Sequence, residues 1–560
     1  MLYHYFFLIL QFLPALAQFG PENGVKKSEP KSILIQNARI YVSPTQVLEK
    51  ADMLVVDGKI KEIGSSIKDN QAVVIDYSGK TILPSFVELY SNVGQPKATF
   101  REGGFRTQSK GEKEGAYYWN EAIHPEFKAA SSFAIDAKAN ETLMQQGFGY
   151  AVSHLMDGMV RGTGALVSLG NDQVNKQMMK GDAAQFLSFS KGSSSDGYPS
   201  SQMGSIALMR QALFDLSYYS NSPQSEFSIS LDSWSKQLKL PMFFKTEDKW
   251  EILRAEKIAK EHQLNFCYIG SGNEYAAIDA LKNIQRTIII PINFPEPFEL
   301  RDPYIARQIP LSDLKHWELA PSNPLYLYQN GIAFCITTHG LKSAEQFWKN
   351  LRLAISRGLP ADAALAALTV NPAKELGVAN ELGTLETGKF ANFSVYSSDP
   401  FTTEAQLLDA WIQGEKTQVK ALAGPNIVGK YNLLLDGEKY ELEIEGTNER
   451  PSGKVKLAGK VNAALMDTTT KKASVQMVEN DITLQFSSFE KAKPGIIQLH
   501  GKMSRNAAIF EGDGTNASGV WLAWSGIRTD KASDPVKVTE IKKDTSYIAV
   551  PWLPLSLIHI

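Results

Sequence analysis

The sequence predicts a mixed fold, in which a parallel α/β region framed by short antiparallel strands is followed by an all-β region. Three patterns predict it. Residues 32–82 read as short strands joined by tight turns. From residue 83 to about residue 379, strand-like and helix-like runs alternate, the pattern of a parallel sheet with crossover helices. From residue 429 to about 550, short alternating strands follow one another between Gly, Asn and Asp turns, as in a separate antiparallel β domain.

The first segment reads as processing rather than structure. Residues 5–13 form an apolar run broken only by Gln11, ahead of Ala15-Leu16-Ala17. That is the small-x-small pattern of a signal-peptidase site, so residues 1–17 are expected to be a signal peptide and the chain to be exported, periplasmic or secreted. The alternative is a buried N-terminal strand, since the segment lacks Lys and Arg. The run is too short to span a bilayer, and no later segment is apolar enough to do so. In the framing region, Asp57-Gly58-Lys59 predicts a hairpin turn between the runs 53–56 and 60–63, with a further strand at 73–76.

In the alternating region, strands are predicted at 81–89, 149–153, 165–169, 241–245, 265–269, 287–290 and 332–337. Phe347, Leu351 and Ile355 recur four residues apart and predict one helix face over 344–357. Gly358 stops that helix and Pro360 opens the next. The Ser/Gly-rich stretch 188–201 is expected to be a mobile loop, with a catalytic lid as the sharper reading.

Composition narrows the function. Of 560 residues, 43% are apolar and 21% charged, so the chain is neither disordered nor a disulfide scaffold. A net charge of −2 supplies no basic excess for nucleic acid. Cys267 and Cys335 lie in apolar strand-like runs and read as buried free thiols, although export would permit a disulfide.

Several motifs resemble those of the amidohydrolase superfamily, in the order and spacing of that family. They are Asn37-Ala38-Arg39-Ile40 through Val56-Asp57-Gly58-Lys59-Ile60, then Ile75-Asp76 to Gly79-Lys80, and Leu83-Pro84-Ser85-Phe86-Val87-Glu88. Residues 366–373, Leu382-Gly383-Thr384 to Ala391-Asn392, and Asp399-Pro400-Phe401 continue the series. The resemblance spans roughly residues 32–405 and is greatest to the exported, imidazolonepropionase-like amidohydrolases. It implies a (β/α)8 TIM-like barrel over 83–379, flanked by a composite β-sandwich from 32–82 plus 380–425. The all-β domain of 429–550 would follow.

The resemblance also implies a metal site, and here the sequence departs from the family. The family's His-x-His at the end of the first strand would direct two imidazoles at one ion, because residues i and i+2 share a face. The ion would activate a water. In this chain those positions fall on Tyr90 and Asn92. Lys245 stands where the family offers a histidine, and His339 stands at the position of its catalytic Asp. A lysine cation repels a divalent ion. Of the eight histidines, His4 lies in the signal and His559 near the far end, while His124 and His316 look like loop residues. His262 suits a helix C-terminus, and His500 belongs to the β domain. Only His154 and His339 remain for a pocket, with Asp157 or Glu88 as possible co-ligands for zinc. Gly162-Thr163-Gly164 lacks dinucleotide spacing, and no Gly-x-Ser-x-Gly elbow occurs. The pair Glu112 and Glu114 reads as a charged surface loop.

Three readings follow. The first is a non-catalytic half of a longer hydrolase, predicted to hold no metal itself, with an intact zinc- or other metal-bearing amidohydrolase domain downstream. The second is an active hydrolase of cyclic amides or dipeptides in which Tyr90, Lys245 and His339 do acid–base work. The third is a ligand-binding module for small or peptide-like molecules, with Arg161 and His154 at the barrel mouth. The last six residues, 555–560, match a translated sequencing adapter and are expected to be artefact, with the natural chain continuing.

Overall fold

The structure is a computed structural model that describes residues 32–97, 113–170, 173–222, 226–298, 303–402, 405–419, 427–447, 450–458, 469–478, 481–504 and 508–530. The signal segment, Glu112 and the segment 555–560 lie outside the described residues. Alternating apolar residues make β1 (Ser32–Ser43) pair antiparallel with β2 (Gln46–Val56). The predicted turn follows, with Asp57 and Gly58 at φ of 50° and 76°, into β3 (Lys59–Gly64). A Cβ on Gly58 would lie 2.4 Å from the Gln413 carbonyl oxygen, so close packing as well as φ requires glycine there. Strands β4 (Val73–Asp76) and β5 (Thr81–Pro84) join β1 in parallel.

The run predicted as one strand over 81–89 is in fact two. It breaks at Ser85, and β6 (Phe86–Ser91) enters a second sheet with β7 (Phe148–Ser153), β8 (Val160–Ser168) and β9 (Met178–Ser188). That sheet continues through β10 (Met242–Lys245), β11 (Phe266–Ile269), β12 (Ile288–Pro291) and β13 (Phe334–Thr337). Its order is that of the chain. Pairing is parallel from β6 to β7 and from β9 to β13, but β8 runs antiparallel to both its neighbours. The expected eight strand–helix units are therefore modified at one point, where a hairpin replaces a crossover. The outer strands meet through the fully buried Glu88 of β6. Its carboxylate accepts from Thr337 Oγ1 at 2.6 Å and from the Thr338 backbone N–H at 2.7 Å.

Crossover helices cover the sheet. Gln202–Asn221 and Ile229–Gln237 lie between β9 and β10, and Lys249–Glu261 lies between β10 and β11. The predicted helix spans Ala344–Ser356 and buries Phe347 and Leu351, with Ile355 half-buried at its edge. Strands β14 (Phe393–Tyr396), β15 (Leu407–Ile412) and β16 (Glu415–Gln418) then return to the first sheet, β14 beside β5. One core there draws on both ends of the module, including Ile40, Met53, Ile82, Phe393 and Trp411.

The remaining described residues form a closed antiparallel barrel of eight strands in sequence order. These are β17 (Gly429–Leu435), β18 (Glu438–Thr447), β19 (Arg450–Leu457), β20 (Thr470–Val478), β21 (Asp481–Ser487), β22 (Ile496–Met503), β23 (Ile509–Thr515) and β24 (Trp521–Arg528). Tyr431, Leu433, Leu484, Leu499 and Phe510 fill its interior. Among the described residues, no helix is long and apolar enough to cross a membrane.

Candidate functional site at the barrel mouth

Strand alternation brings five of the six candidate residues together. Tyr90 ends β6, His154 follows β7, Lys245 ends β10 and His339 follows β13. Arg161 reaches the same end because β8 runs backwards, so its second residue, and not its last, lies at the mouth. The Tyr90 ring centroid is 4.8 Å from those of both His154 and His339. His154 is stacked on Phe186 at 3.6 Å.

The buried Arg161 guanidinium organises the cluster. Its Nη1 donates to Tyr90 Oη at 3.1 Å, its Nη2 to Ser188 Oγ at 3.1 Å, and its Nε to the Gly158 carbonyl at 2.9 Å. A guanidinium thus bonds the residue that occupies the first His-x-His position. Lys245 is also buried; its Nζ donates to the Thr246 carbonyl and lies 3.5 Å from Glu247 Oε1. Burial, aided by the Arg161 charge, pulls the Lys245 ammonium below the usual lysine range, against the pull of Glu247. Burial also holds His339 below the usual imidazole range, with the Lys245 charge acting the same way. His154 is pressed well below it, first by burial and then by Arg161. Both ring nitrogens of His154 are buried without a hydrogen bond of good geometry, although the Ser91 and Val152 carbonyls lie near enough to favour its charged form weakly. The site therefore gathers one guanidinium with a lysine and two imidazoles that burial pulls toward their neutral forms.

Asn92 does not join the cluster. The β6–β7 register shifts between Glu88 and Ser91, and Asn92 turns outward to an exposed position on a surface depression beside Asp136 and Lys138. The two acids considered as co-ligands are already engaged. Glu88 takes the bonds that join β6 to β13, and burial pushes its carboxyl up. Asp157 accepts from the Ser193 backbone N–H at 2.6 Å and also from its hydroxyl. Among the described residues, no group of three or more His, Cys, Asp or Glu could hold a metal ion. The donor set does not fit the family's metal, because a fixed guanidinium is bonded to Tyr90 and a lysine replaces a ligand.

Other expectations resolve locally. The stretch 188–201 is tied down rather than loose, by Asp157 to Ser193, by the Glu121 N–H to Asp196, and by Asn120 to the Tyr198 carbonyl. Gly162 sits at φ 73° against the Phe127 carbonyl, and Gly164 against Phe186, so the Gly-Thr-Gly serves packing. Both cysteines are buried and free. His262 caps the helix Lys249–Glu261 as read, whereas His316 lies within the helix Leu311–Leu319 and bonds Tyr275, not in a loop. Sequence reasoning missed Ser188, which holds Arg161, and the joining role of Glu88. A serine carries no spacing signal, and Glu88 was visible only as part of the strand motif. A concavity of about 1130 Å3 lies beside the cluster against Asp157 and Gly158, not over Lys245.

Comparison with known proteins agrees with this architecture. Residues 323–428 match the model of the amidohydrolase family. A dihydroorotase of Caldicellulosiruptor saccharolyticus is 43% identical over 72 residues, covering 12% of this chain and 17% of that protein. Amidohydrolase tasK of Hapsidospora irregularis is 25% identical over 181 residues, covering 30% of this chain and 18% of that protein. The chain thus matches less than a fifth of the length of these curated relatives. Among solved structures, an amidohydrolase from Thermotoga maritima superposes with a TM-score of 0.56 at 22% identity, over 69% of this chain and 99% of that one. At that identity the likeness is one of fold.

Proposed function

From the premise that this chain is an amidohydrolase-superfamily protein, we propose that its barrel has given up metal-dependent hydrolysis and serves as the non-catalytic half of a longer exported hydrolase. The observation that carries this reading is the Arg161 guanidinium, bonded to Tyr90 where the family's first metal ligand stands. A divalent ion beside the buried Arg161 guanidinium would meet strong repulsion in a poorly screened interior. The intact site would then lie in a downstream domain acting on ring amides, as the name of the dihydroorotase relative suggests, or on dipeptides.

The test is elemental mass spectrometry on protein expressed with added zinc and manganese, followed by assays with dihydroorotate and Xaa-Pro dipeptides. Background metal and no turnover are expected. Near-stoichiometric metal with turnover would overturn the reading. The half-buried His339, held below the usual imidazole range by burial and by Lys245, favours a second reading, acid–base hydrolysis without metal. Under it, His339→Ala would abolish an activity that the metal-free protein retains.

A further inference from the structure

We propose that Lys245 is a covalent capture site for small hydroxylated aldehydes and ketones, its Nζ attacking the carbonyl carbon to form an imine. The inference rests on the metal-free reading above. Lys245 lines a cavity of about 200 Å3 together with Ser188, Ser190, Gln202, Ser205, Glu247 and Glu251. This is separate from the larger concavity beside Asp157. The amine sits at the end of a rigid strand, held by the Thr246 carbonyl, so its position is fixed before any ligand arrives.

Three features suit it to carbonyl addition. A lysine that is desolvated and set beside another cation is the standard activated amine. Both conditions hold here: burial is the larger and outweighs the opposite pull of Glu247, 3.5 Å away, and Arg161 adds to it in the direction of the neutral form that attacks. Glu251 shares the cavity, and burial pushes its carboxyl up, so it keeps a proton to higher pH than an exposed glutamate. Its carboxylate is oriented by Gln202 Nε2 at 2.6 Å and by the Glu247 backbone N–H at 2.7 Å.

The step balances without a co-reactant. Nζ adds to the carbonyl carbon, and one amine proton passes to the oxygen, giving a carbinolamine. Glu251 protonates the departing hydroxyl, which leaves as water. The iminium nitrogen then returns its remaining proton to Glu251. No electrons are transferred to or from outside.

The lining selects the ligand class. Glu247 opposes an anionic oxo-acid, whereas the Ser190 and Ser205 hydroxyls and the Gln202 amide suit a ligand carrying hydroxyl groups. The volume is below the roughly 300–1,000 Å3 of drug-sized pockets, which limits the ligand to a few carbons.

The test is reductive trapping on the full chain. Protein of measured metal content is incubated with glyceraldehyde and cyanoborohydride, and adducts are mapped by peptide mass spectrometry. Lys245 is expected to be modified about tenfold faster than exposed lysines such as Lys260 and Lys282, and faster by glyceraldehyde than by pyruvate. Lys245→Met is expected to lose that adduct alone. If that variant fails to fold, the wild-type ratio between Lys245 and the exposed lysines decides. Metal-free protein in which Lys245 reacts no faster than Lys260 overturns this inference and leaves the metal-free reading standing. Metal-loaded protein with an inert Lys245 overturns both.

Discussion

The two barrels of this chain use eight strands each and handle their interiors in opposite ways. In the second, every strand pairs with its sequence neighbour, and the ring closes where Tyr431 of β17 meets Arg528 of β24. Strict alternation then sends Leu433, Leu484, Leu499 and Phe510 inward and leaves charged residues such as Lys454 and Glu445 outside. In the first, parallel pairing through crossovers gathers strand ends at one mouth, and the residues there are an arginine, a lysine, two histidines and a tyrosine. The meander commits its interior to stability. The crossover barrel keeps an apolar middle and uses its rim for polar groups that would be costly anywhere else.

The sharpest way to break this contrast is Phe510→Ala in the second barrel. It is expected to cost about 3–5 kcal/mol in denaturant unfolding, because it empties a fully buried ring site packed against Tyr431 and Trp524. A loss under about 1 kcal/mol would mean that the filled interior is not what holds the ring.

Arg161→Met comes next. It removes the donor to the buried Tyr90 hydroxyl, while Ser188 keeps its bonds to Gly158 and Ser190, and is expected to cost about 1–3 kcal/mol. A rise in zinc content of the same variant would show that the guanidinium had been excluding the ion.

The pH dependence sharpens the contrast further. The His154 pKa lies below its unfolded value, so its contribution to stability is complete above about pH 6.5 and is lost as pH falls. Glu88 has the opposite sign: its pKa is raised, so its contribution is complete below about pH 4 and is lost as pH rises through its folded value. Melting curves between pH 7 and pH 5 should steepen in wild type and flatten in His154→Asn. An unchanged slope would remove His154 as the source. The smallest effect is expected at the exposed pair of Arg210 with Glu261, where Arg210→Ala should cost under about 1 kcal/mol and less in high salt.

How much of this could be read from the sequence follows from what sequence patterns carry. The Asp57-Gly58 turn, the Phe347–Leu351 helix face and the strands of the second barrel were legible, because alternation and turn chemistry are local. Strand β9, Met178–Ser188, was missed because its first half carries Lys, Gly and Asp in place of β-branched residues. The break at Ser85 was invisible, since two buried strands in different sheets read as one apolar run. Tyr90, His154, Arg161, Lys245 and His339, each singled out from the sequence, lie together in the fold, whereas Asn92 lies apart. The i, i+2 rule assumes a regular strand, and β6 slips its register just before that residue.

The reversal of β8 has a consequence for how such a site can change. Every other rim residue is supplied by the end of a strand, and altering it requires a substitution. Arg161 is supplied by the start of one, reached from β7 through the short connection 154–159. Adding or deleting a single residue in that connection would shift which side chain of β8 points inward. The guanidinium could then leave the mouth with no other strand disturbed. The charge proposed to keep a metal out is thus the rim component most exposed to loss by insertion or deletion, the kind of change that connecting segments tolerate best.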